Sequence, residues 1–136
     1  MNDYRQLIEK AAKARNFAYT PYSHYKVGAA LLAKNGNVYT GCNIENSTHT
    51  PTVCAERTAI FKAVSEGVKE FEAIAIVGGK EGEISPFCAP CGVCRQVMAE
   101  FCDPSSFKIV LGNPDKFEVY LLRDVLPYAF TPKNLE

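Results

Sequence analysis

The sequence predicts an α/β fold: a three-layer α/β/α sandwich around one mixed five-stranded sheet. Three observations carry this expectation. Stretches with helical and with strand-like patterning alternate along the 136 residues. An Asn35-Gly36 pair, a favoured tight-turn dipeptide, separates two strand-like runs. The run Ala73–Gly78, "AIAIVG", is apolar almost without interruption, as in a strand covered on both faces. A hairpin followed by a strand–helix–strand unit gives a mixed sheet with helices packed on its faces.

Taken in order, residues 2–19 read as a helix that Asn2 or Asp3 can cap. Leu7, Ile8, Ala11, Ala12, Ala14, Phe17 and Ala18 form its broad apolar face, and Pro21 stops it. Val27–Ala33 is a strand, and Val38–Glu45 is its return partner after the turn. Alternation along that second strand puts Asn43 and Glu45 on one face, with Cys42 and Ile44 on the other. The loop "NSTHTPT" leads into a helix from about Val53 to Glu66, closed by Gly67. Ala73–Gly78 follows, then a polar loop and a helix over Cys91–Phe101. Phe107–Gly112 and Phe117–Leu122 are the last two strands. No linker, repeat or low-complexity segment divides the chain, so residues 1–136 are expected to form one domain.

Fifteen basic residues balance fifteen acidic ones. That balance argues against a nucleic-acid polymer as partner, because neutralising many phosphates needs a basic excess. No apolar run approaches the roughly 20 residues that cross a bilayer. The first residues are charged throughout, without the apolar centre of a signal peptide. A cytoplasmic protein with no membrane partner is the expectation, and a reducing cytoplasm would keep the six cysteines as thiols.

Those cysteines form two motifs. "TVCAER" places Cys54 two residues before Glu56, and "APCGVCRQ" holds Cys91 and Cys94. A disulfide, a structural metal, a catalytic metal and a redox Cys-x-x-Cys are all readings of such motifs. The redox reading leaves Cys54-Ala-Glu56 unexplained. Both motifs fall at expected helix starts, where partial positive charge favours thiolates. Three thiolates would bind one zinc ion per chain and leave a tetrahedral position open, as in catalytic sites. Their excess negative charge calls for donors, and Arg57 and Arg95 stand next to the motifs. Glu56 would then lie by the open position as a proton carrier. The plain alternative is three buried thiols, and Cys42, Cys88 and Cys102 are read that way. His24 and His49 lie in no ligand motif and are read as surface or interface residues. Asn43 and Glu45 could instead cap a turn, and Phe130 could be hydrophobic packing.

The blocks "YTPYSHYKVGAALL", "GCNIEN", "CAERTAIFKAV", "PCGVCRQV" and "LPYAF", in this order, resemble the small homotetrameric class of zinc-dependent cytidine deaminases. The resemblance runs nearly end to end. It implies hydrolytic deamination of cytidine and 2′-deoxycytidine to the uridines with release of ammonia, a step of pyrimidine salvage. It implies Cys54, Cys91 and Cys94 as zinc ligands and Glu56 as the proton shuttle to N3 and the leaving amine. Asn43 and Glu45 would bind ribose hydroxyls, the backbone of Ala55 would touch the base, and Tyr25 would flank it. Phe130 would complete the pocket of a neighbouring subunit. Tyr25 stands where the family usually has Phe, and His49 where many members have Tyr. The loop carrying Cys88 looks longer than in common members. Two competing readings are a deaminase of modified nucleosides or polynucleotides, and an inert zinc-stabilised binding module. Neutral overall charge argues against a polynucleotide, the ribose pair argues for a free nucleoside, and Glu56 argues against the inert module.

Overall fold

The structure, a computed structural model, describes residues 3–136. It contains α1 (Arg5–Ala14), β1 (Tyr25–Ala33), β2 (Val38–Cys42), α2 (Ala55–Ser65), β3 (Phe71–Lys80), α3 (Gly92–Phe101), β4 (Lys108–Gly112), β5 (Phe117–Leu121) and a short α4 (Leu122–Val125). The strands form one sheet in the order β2-β1-β3-β4-β5. Only β3 and β4 run parallel, joined through α3; the other neighbours are antiparallel. This is the expected mixed sheet.

Both faces of the central strands are apolar because each is covered. Ala30, Ala73, Ala75, Val77 and Val110 face α1, which supplies Leu7, Ile8 and Ala11. The alternate residues Ala29, Leu31, Ile74, Ile76, Ile109 and Leu111 face α2 and α3, which supply Ala59, Ile60, Ala63 and Met98. Period-2 alternation thus feeds two cores, and each fully buried Ile or Leu contributes about 1.5–3 kcal/mol. The helices lie close because the strands are small where they cross. A Cβ at Gly41 would stand 2.6 Å from both the Ala55 carbonyl oxygen and the Ala59 nitrogen. The bare backbone of β2 therefore sets the depth of the α2 N-terminus.

Strands β1 and β3 run two residues beyond expectation, and the two largest differences share one reason. Helix α1 ends at Ala14, and a 3-10 turn, Arg15–Phe17, leaves the Phe17 ring exposed rather than on the apolar face. The regular part of β2 ends at Cys42, short of Glu45. In both cases the backbone is engaged elsewhere: the Tyr19 amide donates to Asn43 O at 3.0 Å and the Glu45 amide to Tyr19 O at 2.9 Å. Ile44 also bridges Val53. Main-chain groups used in this cross-link are not available to lengthen the helix or the hairpin. The residue at which α1 begins is Tyr4, not Asp3, and no side chain caps it; Asp3 Oδ1 accepts the Arg5 amide from one residue earlier, and Asn2 lies outside the described residues.

Replacing Gly41 by Ala should push the first turn of α2 off the sheet. The expected loss is about 1–3 kcal/mol, the usual cost of overpacking, and chemical denaturation measures it.

Candidate metal centre

Helices α2 and α3 present their N-termini at the same edge of the sheet, beside the start of β1 and the end of β3. Cys54 is the residue at which α2 begins, with extended backbone (φ −78°, ψ 157°). Cys91 occupies the same place on α3 (φ −70°, ψ 167°). Cys94 is one turn further in. The Cys54 and Cys91 sulfurs are 3.7 Å apart, and those of Cys91 and Cys94 3.6 Å. All three lie within 4.8 Å of one another, and they form the one such group of potential metal donors found among the described residues. Neither His24 nor His49 belongs to it.

This spacing suits zinc. Sulfurs at about 2.3 Å from a tetrahedral ion lie ~3.8 Å apart along each edge. Cys94 is buried, Cys54 half-buried and Cys91 exposed, so the trio is closed on the protein side and open on the other. Charge crowding is visible in the titration of the thiols. Cys54 is drawn down to about 5, first by hydrogen bonding with Cys94, then by Arg57 and Cys91. Cys94 is pushed far up by the same bond, by burial and by the neighbouring negative charges. Three thiolates so close repel one another, and a dication removes that penalty.

Glu56, in the first turn of α2, is only 3% exposed, and its Oε1 has no hydrogen-bond partner. Burial raises its carboxyl to about 7, with the Cys54 charge adding and Arg57 opposing. An acid poised there can both release and take up a proton near neutral pH. Arg57 does what the sequence suggested: Nη2 donates to Cys54 Sγ at 3.4 Å. Arg95 does not. Its Nε donates to Pro90 O at 2.7 Å and its Nη1 to Val125 O at 2.6 Å, so it ties the ligand loop to α4 instead. The reason is directional: one residue past Cys94, its side chain leaves the helix toward the carbonyls of its neighbours.

Asn43 and Glu45 come together against residues 22–27, though not by strand alternation. Asn43 Oδ1 accepts the Val27 amide at 2.9 Å and Nδ2 donates to Tyr25 O at 2.8 Å, so its amide continues the ladder where β2 ends. Glu45 accepts the Tyr22 and Ser23 amides at 3.0 and 3.2 Å and the Ser23 hydroxyl. These bonds hold its carboxyl below the usual range. The turn-cap reading thus fits Glu45, whereas Asn43 extends the strand ladder, and each keeps capacity for further bonds. Ser23 was missed from the sequence, where the Pro21-Tyr22-Ser23 turn was the available signal. Ala55, at the first turn of α2, is fully buried. Tyr25 opens β1, with its hydroxyl beside Cys88 and Ser85. Phe130 lies on the C-terminal segment: its carbonyl accepts from Gln96 of α3 at 2.9 Å, and its ring is 57% exposed.

Comparison with known proteins agrees with this site. The family described as the cytidine and deoxycytidylate deaminase zinc-binding region matches residues 1–110. The cytidine deaminase of Sporosarcina psychrophila is 50% identical over 133 residues, 98% of this chain and 95% of that protein. That of Halalkalibacterium halodurans is 47% identical, covering 98% of both chains. The crystal structure of the Burkholderia pseudomallei cytidine deaminase superposes with a TM-score of 0.85 at 46% identity, over 95% of this chain and 100% of that one.

Substitution of Arg57 by Gln should leave the fold intact and weaken zinc retention about 10–100-fold, read by competition with a chromophoric chelator. Substitution of Cys94 by Ser should reduce zinc from one per chain to a small fraction, read by metal analysis.

Proposed function

Because the chain belongs to the cytidine and deoxycytidylate deaminase zinc-binding family, we propose that it hydrolyses cytidine and 2′-deoxycytidine to the uridines, releasing ammonia. The observation that carries this reading is a buried carboxylate with a free oxygen, Glu56, beside three sulfurs spaced for one zinc ion. Cys54, Cys91 and Cys94 would hold the zinc ion, and the chemistry it would supply is Lewis acidity, which can bring the pKa of water toward about 7. Glu56 would hold and move the protons at this site, taking one from the attacking water, delivering it to the pyrimidine N3 and later carrying one to the departing amine. The C4–O bond forms and the C4–N bond breaks, so no redox partner is required. Arg57 offsets part of the sulfur charge that would otherwise blunt the metal.

Around this centre, Asn43 and Glu45 bind the ribose hydroxyls, the Ala55 backbone and Glu56 bind the base, and Tyr25 flanks it. Residues 1–136 work as one domain. The working unit is a homotetramer in which Phe130 completes a neighbour's pocket. The exposure of Val93, Tyr128 and Phe130 on the isolated chain supports this, since apolar groups beside an open site favour a cover. No helix among the described residues is long and apolar enough to cross a membrane. The proposed setting is the cytoplasm, within pyrimidine salvage, with a free nucleoside as partner.

Glu56→Gln should retain zinc and lose about three to four orders of magnitude in turnover, followed by the fall in ultraviolet absorbance of cytidine. Near-normal turnover in that variant would refute the proton role. Single-stranded DNA deaminated as fast as cytidine would overturn the choice of substrate.

A further inference from the structure

Arg15 stands in the 3-10 turn after α1, outside every motif that the site uses. Its guanidinium nevertheless reaches four main-chain carbonyls. Nε donates to Lys26 O at 2.9 Å, while Nη2 donates to Gly79 O at 3.0 Å, to Lys80 O at 2.8 Å and to Glu83 O. These acceptors belong to the start of β1, the end of β3 and the turn beyond it.

After that turn the chain doubles back over the end of β3. The Ser85 amide donates to Gly78 O at 2.8 Å. A Cβ at Gly79 would stand 2.7 Å from both the Glu83 carbonyl oxygen and the Ser85 nitrogen, and one at Gly78 would fall on the Cys88 sulfur. Two residues without side chains therefore form the bed on which residues 83–88 lie. From that bed Cys88 and Ser85 stand beside the Tyr25 hydroxyl. The hydroxyl that distinguishes Tyr25 from Phe thus faces the segment that Arg15 fastens, and the Tyr25 backbone pairs with Lys80, whose carbonyl Arg15 also holds.

We propose that Arg15 is a positioning residue for substrate binding. By pinning residues 79–83 to the start of β1, it holds Cys88 and Ser85 against Tyr25 and so fixes the ring that flanks the pyrimidine. The proposal rests on the role assigned above to Tyr25. Arginine is suited to the task because its planar guanidinium holds Nε toward Lys26 O while Nη2, sharing its two N–H groups among three carbonyls, reaches the end of β3 and the turn beyond it.

The test uses the full zinc-loaded chain with Arg15→Ala and Arg15→Lys. The expected result is zinc content unchanged, KM for cytidine raised about tenfold and kcat within about threefold of normal. Millimolar guanidinium should restore KM in Arg15→Ala, and equal sodium chloride should not. A lower melting temperature with KM unmoved would overturn the proposal and leave Arg15 a structural staple only. Should Arg15→Ala fail to fold, amide hydrogen exchange on Arg15→Lys decides. Glu83 and Ser85 are expected to lose about tenfold or more in protection while α1 and α2 keep theirs. Unchanged protection at those two amides would overturn the positioning role. A wild-type chain inert toward cytidine would refute the functional reading instead, and the exchange result would still stand or fall alone.

Discussion

Three sulfurs meeting at the N-termini of two helices are the constraint on which the rest depends. Cys91 and Cys94 are brought together by a single turn of α3, but Cys54 arrives from a different helix. Its 3.7 Å approach to Cys91 requires α2 and α3 to begin at the same edge of the sheet and at the same depth. The bare backbone at Gly41 sets that depth for α2, and the β3–α3–β4 connection sets it for α3. Three thiolates this close would repel one another, and a dication between them would remove that penalty. Metal binding and the geometry of the fold are therefore coupled.

Glu56 follows from the same geometry. A helix that begins at Cys54 carries the side chain two residues on into the space behind the sulfurs. Burying a carboxylate without a full set of partners is costly, and proteins retain such groups where their chemistry needs them. The orphaned oxygen is intelligible as a place for substrate or water. Arg57, one residue further, moderates the local charge without reaching the open side.

The remainder of the cleft is built from strand ends and turns rather than from helices. Asn43 completes the β1 ladder with its side chain, and Glu45 fixes the turn at Tyr22 and Ser23. Opposite them, the segment after β3 lies on Gly78 and Gly79 under the hold of Arg15. Loops of this kind are mobile unless tied, and each of these is tied by side chain to backbone. The cleft is thus defined by polar cross-links, while the two apolar cores hold the platform beneath it.

Much of this was legible in the sequence. Period-2 and near-continuous apolar patterns mark the strands, and the Cys-Ala-Glu and Pro-Cys-Gly-Val-Cys spacings mark both helix starts and the three sulfurs. These are local properties: a turn of helix fixes which residues three apart share a side, whatever surrounds it. The end of α1, the end of β2, the partners of Arg95 and the reach of Arg15 were decided only in the folded molecule. Each depends on a backbone group supplied by a segment distant in sequence, such as Tyr19 with Asn43 or Arg15 with Glu83. A long side chain or a chain end takes whichever carbonyl the fold brings near, and no local pattern encodes that choice.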